Sequence, residues 1–177
     1  MRTRLRLHTL AAAAVLAAAV AAPSAGTATA NTTTGNRFES TLAEYETVRL
    51  ALVADRWDAK ASAAAKRLQA EVKALAAAPT AEAAAVPAAK LAEVKALLPD
   101  VDRAAAQLVA AKDLTAARDA FYRVSMPLVR WQAATGRPAP VVAFCSMAKK
   151  SWLQPKPQPL GNPYYGKQME RCGEVVR

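Results

Sequence analysis

The amino-acid sequence predicts an all-α protein: an up-down four-helix bundle with an irregular C-terminal tail, a short strand plus a short helix, packed on it. Three observations carry this expectation. Residues 37–135 contain no glycine and are rich in alanine, leucine and charged side chains, a composition that favours helix. Four segments within that stretch repeat apolar residues at intervals of three and four. No long alternating apolar-polar pattern of the kind a half-buried strand needs runs through the chain.

The N-terminus is set apart from this body. Arg2, Arg4 and Arg6 precede an apolar run over residues 10–22, and Ala28-Thr29-Ala30 supplies small residues for cleavage before Asn31. Residues 1–30 therefore read as a cleaved signal peptide. The apolar run is too short to span a bilayer, so no stable membrane insertion is expected after cleavage. No cysteine lies near the cleavage region, which argues against a lipid anchor. The expected product is periplasmic or secreted. Its remaining 147 residues suffice for one domain with a real core. Residues 31–136 would form the bundle, and residues 137–177 a tail belonging to the same domain.

Residues 31–36 read as a flexible leader. The first helical stripe comprises Phe38, Leu42, Tyr45 and Leu52 and ends near Asp55. The second comprises Ala61, Ala65, Leu68, Val72 and Leu75, with alanines that allow close approach of a partner helix. The third comprises Leu91, Val94, Leu98, Val101, Ala105 and Leu108. It passes Pro99 in phase, which predicts a kinked helix or two stacked short ones. The fourth comprises Ala117, Phe121, Val124, Leu128 and Trp131, with Asp113 or Thr115 as N-cap, Gly136 as the stop and a kink expected at Pro127. Pro79 and Pro87 bracket a loop with at most a turn of helix. Short connections between such helices predict antiparallel neighbours.

Beyond Gly136 the texture changes. Arg137-Pro138-Ala139-Pro140 breaks the helix, and residues 141–144 read as a short strand leading into Cys145. Pro155, Pro157, Pro159 and Pro163 discourage further regular structure until a short helix. That helix is expected to begin with Asn162 as N-cap and Pro163 at its first position, and to stop at Gly173. The tail has too few apolar residues for a core of its own, so Trp152, Tyr164 and Tyr165 are the expected anchors on the bundle.

Several functions are disfavoured by what the chain lacks. His8, the only histidine, falls in the signal peptide, so the mature chain has no Ser-His-Asp or Cys-His machinery and no histidine metal ligand. There is no Gly-rich phosphate loop and no second cysteine pair in metal spacing. An enzyme is not expected, and a lone cysteine pair without Cys-x-x-Cys spacing argues against a redox enzyme as well. The basic excess is concentrated in residues 137–177, which carry seven basic and two acidic side chains. An exported protein meets little nucleic acid, so no nucleic-acid partner is expected; the cations instead favour thiolate over thiol.

The chemistry of the chain is therefore in its sulfurs. Both cysteines lie in the tail, each close to a methionine: Cys145 with Met147, and Met169 with Cys172. Residues two apart share a face of an extended strand, and residues three apart share a face of a helix. Convergence of the two pairs would make a site of two thiols and two thioethers, a set that suits Cu(I) and suits zinc or calcium poorly. The candidate metal ligands are thus Cys145, Met147, Met169 and Cys172. The alternative is a plain Cys145–Cys172 disulfide, natural in an exported protein. Closing that loop would contribute roughly 3–4 kcal/mol by the chain-entropy relation.

The tail also resembles a known family. Cys145-Ser146-Met147-Ala148, Trp152-Leu153, Asn162-Pro163-Tyr164-Tyr165-Gly166, Met169 and Cys172-Gly173 are similar to the tail of an uncharacterised helical-bundle domain. That domain occurs in exported standalone proteins and is appended to periplasmic adaptor subunits of heavy-metal efflux systems of the CusB type. Ser146 replaces the family's proline, and the segment between Met147 and Trp152 is short by comparison. The resemblance implies an association with copper or related metals and a periplasmic efflux component as partner. Two functions are carried forward: an exported Cu(I)-binding protein, and a disulfide-stapled helical interaction module with no metal role.

Overall fold

A computed structural model of the chain describes residues 36–156 and 158–176. The expected signal peptide and most of the leader lie outside the described residues. Within them the chain is mostly helical, with four helices followed by a small antiparallel sheet.

Three of the four helices start where a side chain takes up an orphan N–H. Helix α1 (Arg37–Val53) is capped by Asn36, whose side chain accepts from the Glu39 amide. Asp58 does the same for α2 (Ala59–Ala77) through Ala61, and Asp113 for α4 (Leu114–Thr135) through Ala116. Helix α3 (Leu91–Val109) is entered through a 3-10 turn, Ala88–Lys90, that follows Pro87. Gly136 ends α4 at φ 67°, a left-handed conformation that glycine adopts without steric cost. Both α3 and α4 run unbroken through their internal prolines, Pro99 and Pro127. Of the two sequence expectations at Pro99, the single helix is the one observed.

Packing follows the stripes. Helix α1 lies against α2, α2 against α3 and α3 against α4. The apolar residues of α2 and α4 named above are all buried, from Ala61 to Leu75 and from Ala117 to Trp131. Ala61, Ala64 and Ala65 have no exposed surface, so the α2 backbone comes close to its neighbours. The link between α2 and α3 is pinned from two sides: the Phe38 amide donates to Ala83 O, and the Trp131 indole N–H donates to Ala84 O at 2.9 Å. Among the described residues no helix is long and apolar enough to cross a membrane.

The tail departs from expectation in three places. One strand is predicted and three are found: β1 (Val141–Cys145), β2 (Lys150–Gln154) and β3 (Glu174–Val175), in the order β2-β1-β3, all antiparallel. Strand β2 pairs Val141 with Gln154 and Cys145 with Lys150 across a tight turn over residues 146–149. Its five residues are too few to display a period, and β3 is two residues held by β1 alone; pairing of this kind is written in the partner strand, not locally. The second correction concerns the short helix. Residues 163–165 form a turn and only Gly166–Met169 is helical, as a 3-10 turn. The Asn162 side chain accepts from the Tyr164 amide, two residues on, and Gly166 sits at φ 55°, outside the right-handed helix region. Third, Trp152 and Tyr164 are buried as anchors, but Tyr165 is exposed.

The open edge of β2 is closed by two tyrosines. The Leu153 amide donates to Tyr45 Oη at 3.2 Å, and Tyr164 Oη donates to the Ser151 carbonyl at 2.5 Å. Tyr45 also bonds Ser125 Oγ at 2.7 Å, and Ser125 in turn donates to Phe121 O within α4. Burial pushes the Tyr45 hydroxyl far above its ordinary pKa, so it remains protonated and serves as both donor and acceptor. This network ties α1, α4 and the sheet together and removes an exposed strand edge.

Candidate functional site

The fold brings the two cysteines into contact. Cys145 ends β1 and is fully buried; Cys172 lies in the link between the 3-10 turn and β3 and is half-buried. Their sulfurs are not bonded to each other in this structure, with Sγ to Sγ 2.9 Å. The Ala148 amide, in the hairpin turn, donates toward Cys145 Sγ at 3.4 Å.

Cys172 is placed there by the Asn162 turn. The Asn162 amide N–H donates to Glu170 O at 2.7 Å, and its side-chain amide donates to Cys172 O at 3.1 Å. The Cys172 amide donates to Met169 O at 2.9 Å. Gly173, at φ 138°, then lets the chain pass over β1, where a Cβ would collide with the Trp152 ring and the Phe144 carbonyl. The Cys-Gly pair is thus a geometric unit: the glycine lets the cysteine reach its partner.

The turn itself is clamped to the bundle by charged side chains from two helices, α1 and α4, and from the turn that follows α1. Arg49, buried in α1, donates through Nε and Nη2 to the two carboxylate oxygens of Glu46, each at 2.6 Å, and through Nη1 to Gly161 O at 2.7 Å. Arg118 on α4 donates to Pro163 O at 3.1 Å, to Leu52 O at 3.0 Å and to Asp55 at 2.5 Å. Asp55 accepts from the Lys167 amide at 3.1 Å. The Arg118 guanidinium, together with that amide, holds the Asp55 carboxyl below its ordinary pKa. A side chain at Gly166 would overlap the Asp55 carboxylate. The Tyr164 ring packs at 6.0–6.3 Å from Trp152, Tyr122 and Phe121.

The two thiols are electrostatically unequal. Burial pushes the Cys145 thiol up, but hydrogen bonding from Cys172, from the Ala148 and Met147 amides and from the Asn162 side chain outweighs it, leaving Cys145 below the ordinary thiol value. Cys172 is raised, first by its hydrogen bond to Cys145 and then by burial. Of the two thiols, Cys145 is therefore the one whose surroundings favour the thiolate form. The groups that favour the thiolate are hydrogen-bond donors, whereas the sequence pointed to the tail's lysines and arginines. Lys150, for example, is engaged with Asp119 at 3.2 Å and lies 5.2 Å from the centroids of the Tyr122 and Tyr164 rings.

The methionines are placed differently from expectation. Strand β1 ends at Cys145, so Met147 shares no strand face with it; it sits in the hairpin turn with 67% of its surface exposed. Met169 ends the 3-10 turn and is half-buried, and the α-helix that would have set it on one face with Cys172 is absent. Among the described residues no group of three or more His, Cys, Asp or Glu side chains is arranged to hold a metal ion. A cleft of about 460 Å³ lined by Leu42, Tyr45, Pro140 and Leu153 contains neither sulfur pair.

Sequence reasoning did not identify Arg49, Asp55, Arg118 or Tyr45 as the residues that position the site. Arg49 carried a readable signal: it falls four residues after Tyr45 and three before Leu52, in the buried phase of α1, where a charge requires a partner. Comparison of the chain with protein families, with curated proteins and with solved structures found no match.

Proposed function

We propose that the chain is an exported soft-metal binding protein that holds Cu(I) as cargo between the Cys145 and Cys172 thiolates, for sequestration or for hand-over to a periplasmic heavy-metal efflux component. The observation that supports this reading is the meeting of the protein's only two cysteines, 27 residues apart, at the end of a polar clamp built from three parts of the bundle. Two soft thiolates without a histidine or carboxylate partner suit Cu(I) and do not meet the four-ligand demand of structural zinc. The resemblance of the tail to a domain appended to efflux adaptors favours the same reading. The up-down arrangement of the four helices is then a rigid frame, and the tail is the working part.

Loading requires the sulfurs to part. Thiolates on one tetrahedral metal, at about 2.3 Å per bond, stand roughly 3.8 Å apart, against 2.9 Å here. Cys172 lies outside regular structure and can make that adjustment, while Cys145 is fixed by β1. Met147 and Met169, two and three residues in the chain from Cys145 and Cys172, then supply thioethers. The test is titration of the reduced protein against a competing Cu(I) chelator. Cys145→Ser is expected to abolish one-to-one binding. The Met147→Leu/Met169→Leu double variant is expected to weaken it by about tenfold, or roughly 1.4 kcal/mol. Copper ligated mainly by oxygen or nitrogen in X-ray absorption would overturn the proposal.

The same 2.9 Å separation favours a second reading, in which the pair closes as a disulfide and the protein is a stapled helical interaction module with no metal role. A thiol count on natively purified protein, with metal analysis, separates the two.

A further inference from the structure

Beyond metal binding, we infer that Cys172 is a thiol–disulfide exchange site for low-molecular-weight thiols: when the pair is oxidised, an incoming thiolate attacks Cys172, and Cys145 is the sulfur released. This holds with or without a metal, because it rests on the unequal placement of two touching sulfurs.

Three observations carry it. The sulfurs are in contact, so a disulfide forms from this conformation with little rearrangement. Their accessibility differs: Cys145 has no exposed surface and belongs to the hydrophobic core, whereas Cys172 is half-buried at the core's margin in a link of irregular chain. Exchange rates depend on which sulfur can be reached. Finally, the Ala148 amide in the hairpin turn points at Cys145 Sγ, at 3.4 Å, and is placed to stabilise the charge that sulfur would carry as a leaving group.

The chemistry balances with a small thiol RSH as the only co-reactant. Its thiolate attacks Cys172 Sγ, a new sulfur–sulfur bond forms to R, and the electron pair of the old bond departs on Cys145 Sγ. A second RS⁻ attacks the sulfur of R in the mixed disulfide, so that Cys172 leaves as thiolate and RSSR is produced. Two electrons pass from two RSH to the protein, and the two protons end on the protein thiols or in water. In reverse, RSSR modifies Cys172, and the adjacent Cys145 thiolate displaces RS⁻ to close the bridge. Within the Cu(I) reading this exchange determines whether the site is open to metal.

The experiment uses the mature protein with a metal chelator present throughout. The protein is oxidised with glutathione disulfide, titrated with reduced glutathione, quenched in acid, alkylated and mapped by peptide mass. The expected trapped species carries glutathione on Cys172 and the alkyl group on Cys145. Glutathione on Cys145 in equal or greater amount, or no intramolecular disulfide after oxidation, overturns the inference. Variants provide a second route. Cys145→Ser should accumulate a stable Cys172 adduct, and Cys172→Ser should react at least about tenfold more slowly at Cys145. The two rates should become alike in denaturant; rates already alike in the native proteins would overturn the inference. Failure here with Cu(I) binding intact removes this inference alone, and the converse result removes only the metal reading.

Discussion

In the helical body, the groups that hold one element to the next are mainly apolar and recur every three or four residues; in the tail, apolar anchors such as Trp152 and Tyr164 are joined by polar groups that appear once each. Leu68, Val101 and Leu128 are buried for the same reason and are replaceable by residues of similar volume. Gly161 O, Pro163 O and the Lys167 amide are each met by one particular charged side chain from the body. The comparison shows how a segment too short for its own core can still be held in one conformation. Its backbone is irregular, so the hydrogen bonds a helix would make internally are supplied by Arg49, Arg118 and Asp55. The consequence is a division of roles in which the body provides stability and the clamp provides the position of Cys172.

That division can be broken most sharply at Arg49. Arg49→Met leaves Glu46 without its partner and Gly161 O unmet, and removing one member of such a buried pair costs about 3–5 kcal/mol. The expected signature is regional: in increasing urea, alkylation of Cys145 should begin before far-UV circular dichroism falls. Coincident transitions would show that body and tail are one cooperative unit. Leu68→Ala is the matching change in the body, on a helix that makes no clamp contact. It should cost about 2–5 kcal/mol, with thiol exposure and helix loss moving together.

The smallest effect sharpens the comparison through pH. Arg118 and the Lys167 amide depress the Asp55 pKa, so the folded protein binds its proton less readily than the unfolded chain does. The resulting stability is present above the ordinary carboxylate value of 3.8 and is lost as pH falls through the lower folded value. Tm measured against pH should therefore show wild type above Asp55→Asn near neutrality, with the gap closing below pH 3.8. A gap that persists unchanged to about pH 2 would mean that Asp55 acts without its charge.

Four helices, their capping residues Asp113 and Gly136, and the buried faces of α2 and α4 are determined locally and could be read from the chain. Helical periodicity repeats often enough within one segment to reveal which side is inside. The unbroken passage of α3 through Pro99 was not decided by the chain alone, because the proline and the in-phase stripe point opposite ways until packing favours one. In the tail, the strand ending at Cys145 was legible, while β2, β3 and the turn in place of a helix were not. Strand pairing and clamping join residues far apart in sequence, as Arg49 and Gly161 show, and no local spacing encodes them. The four sulfurs illustrate the same boundary. Their clustering in the tail was visible as sequence, but whether they meet depended on where β1 stops and where Gly173 turns. Tertiary structure brought Cys145 and Cys172 into contact and left Met147 in solvent, because the hairpin turn begins one residue after Cys145.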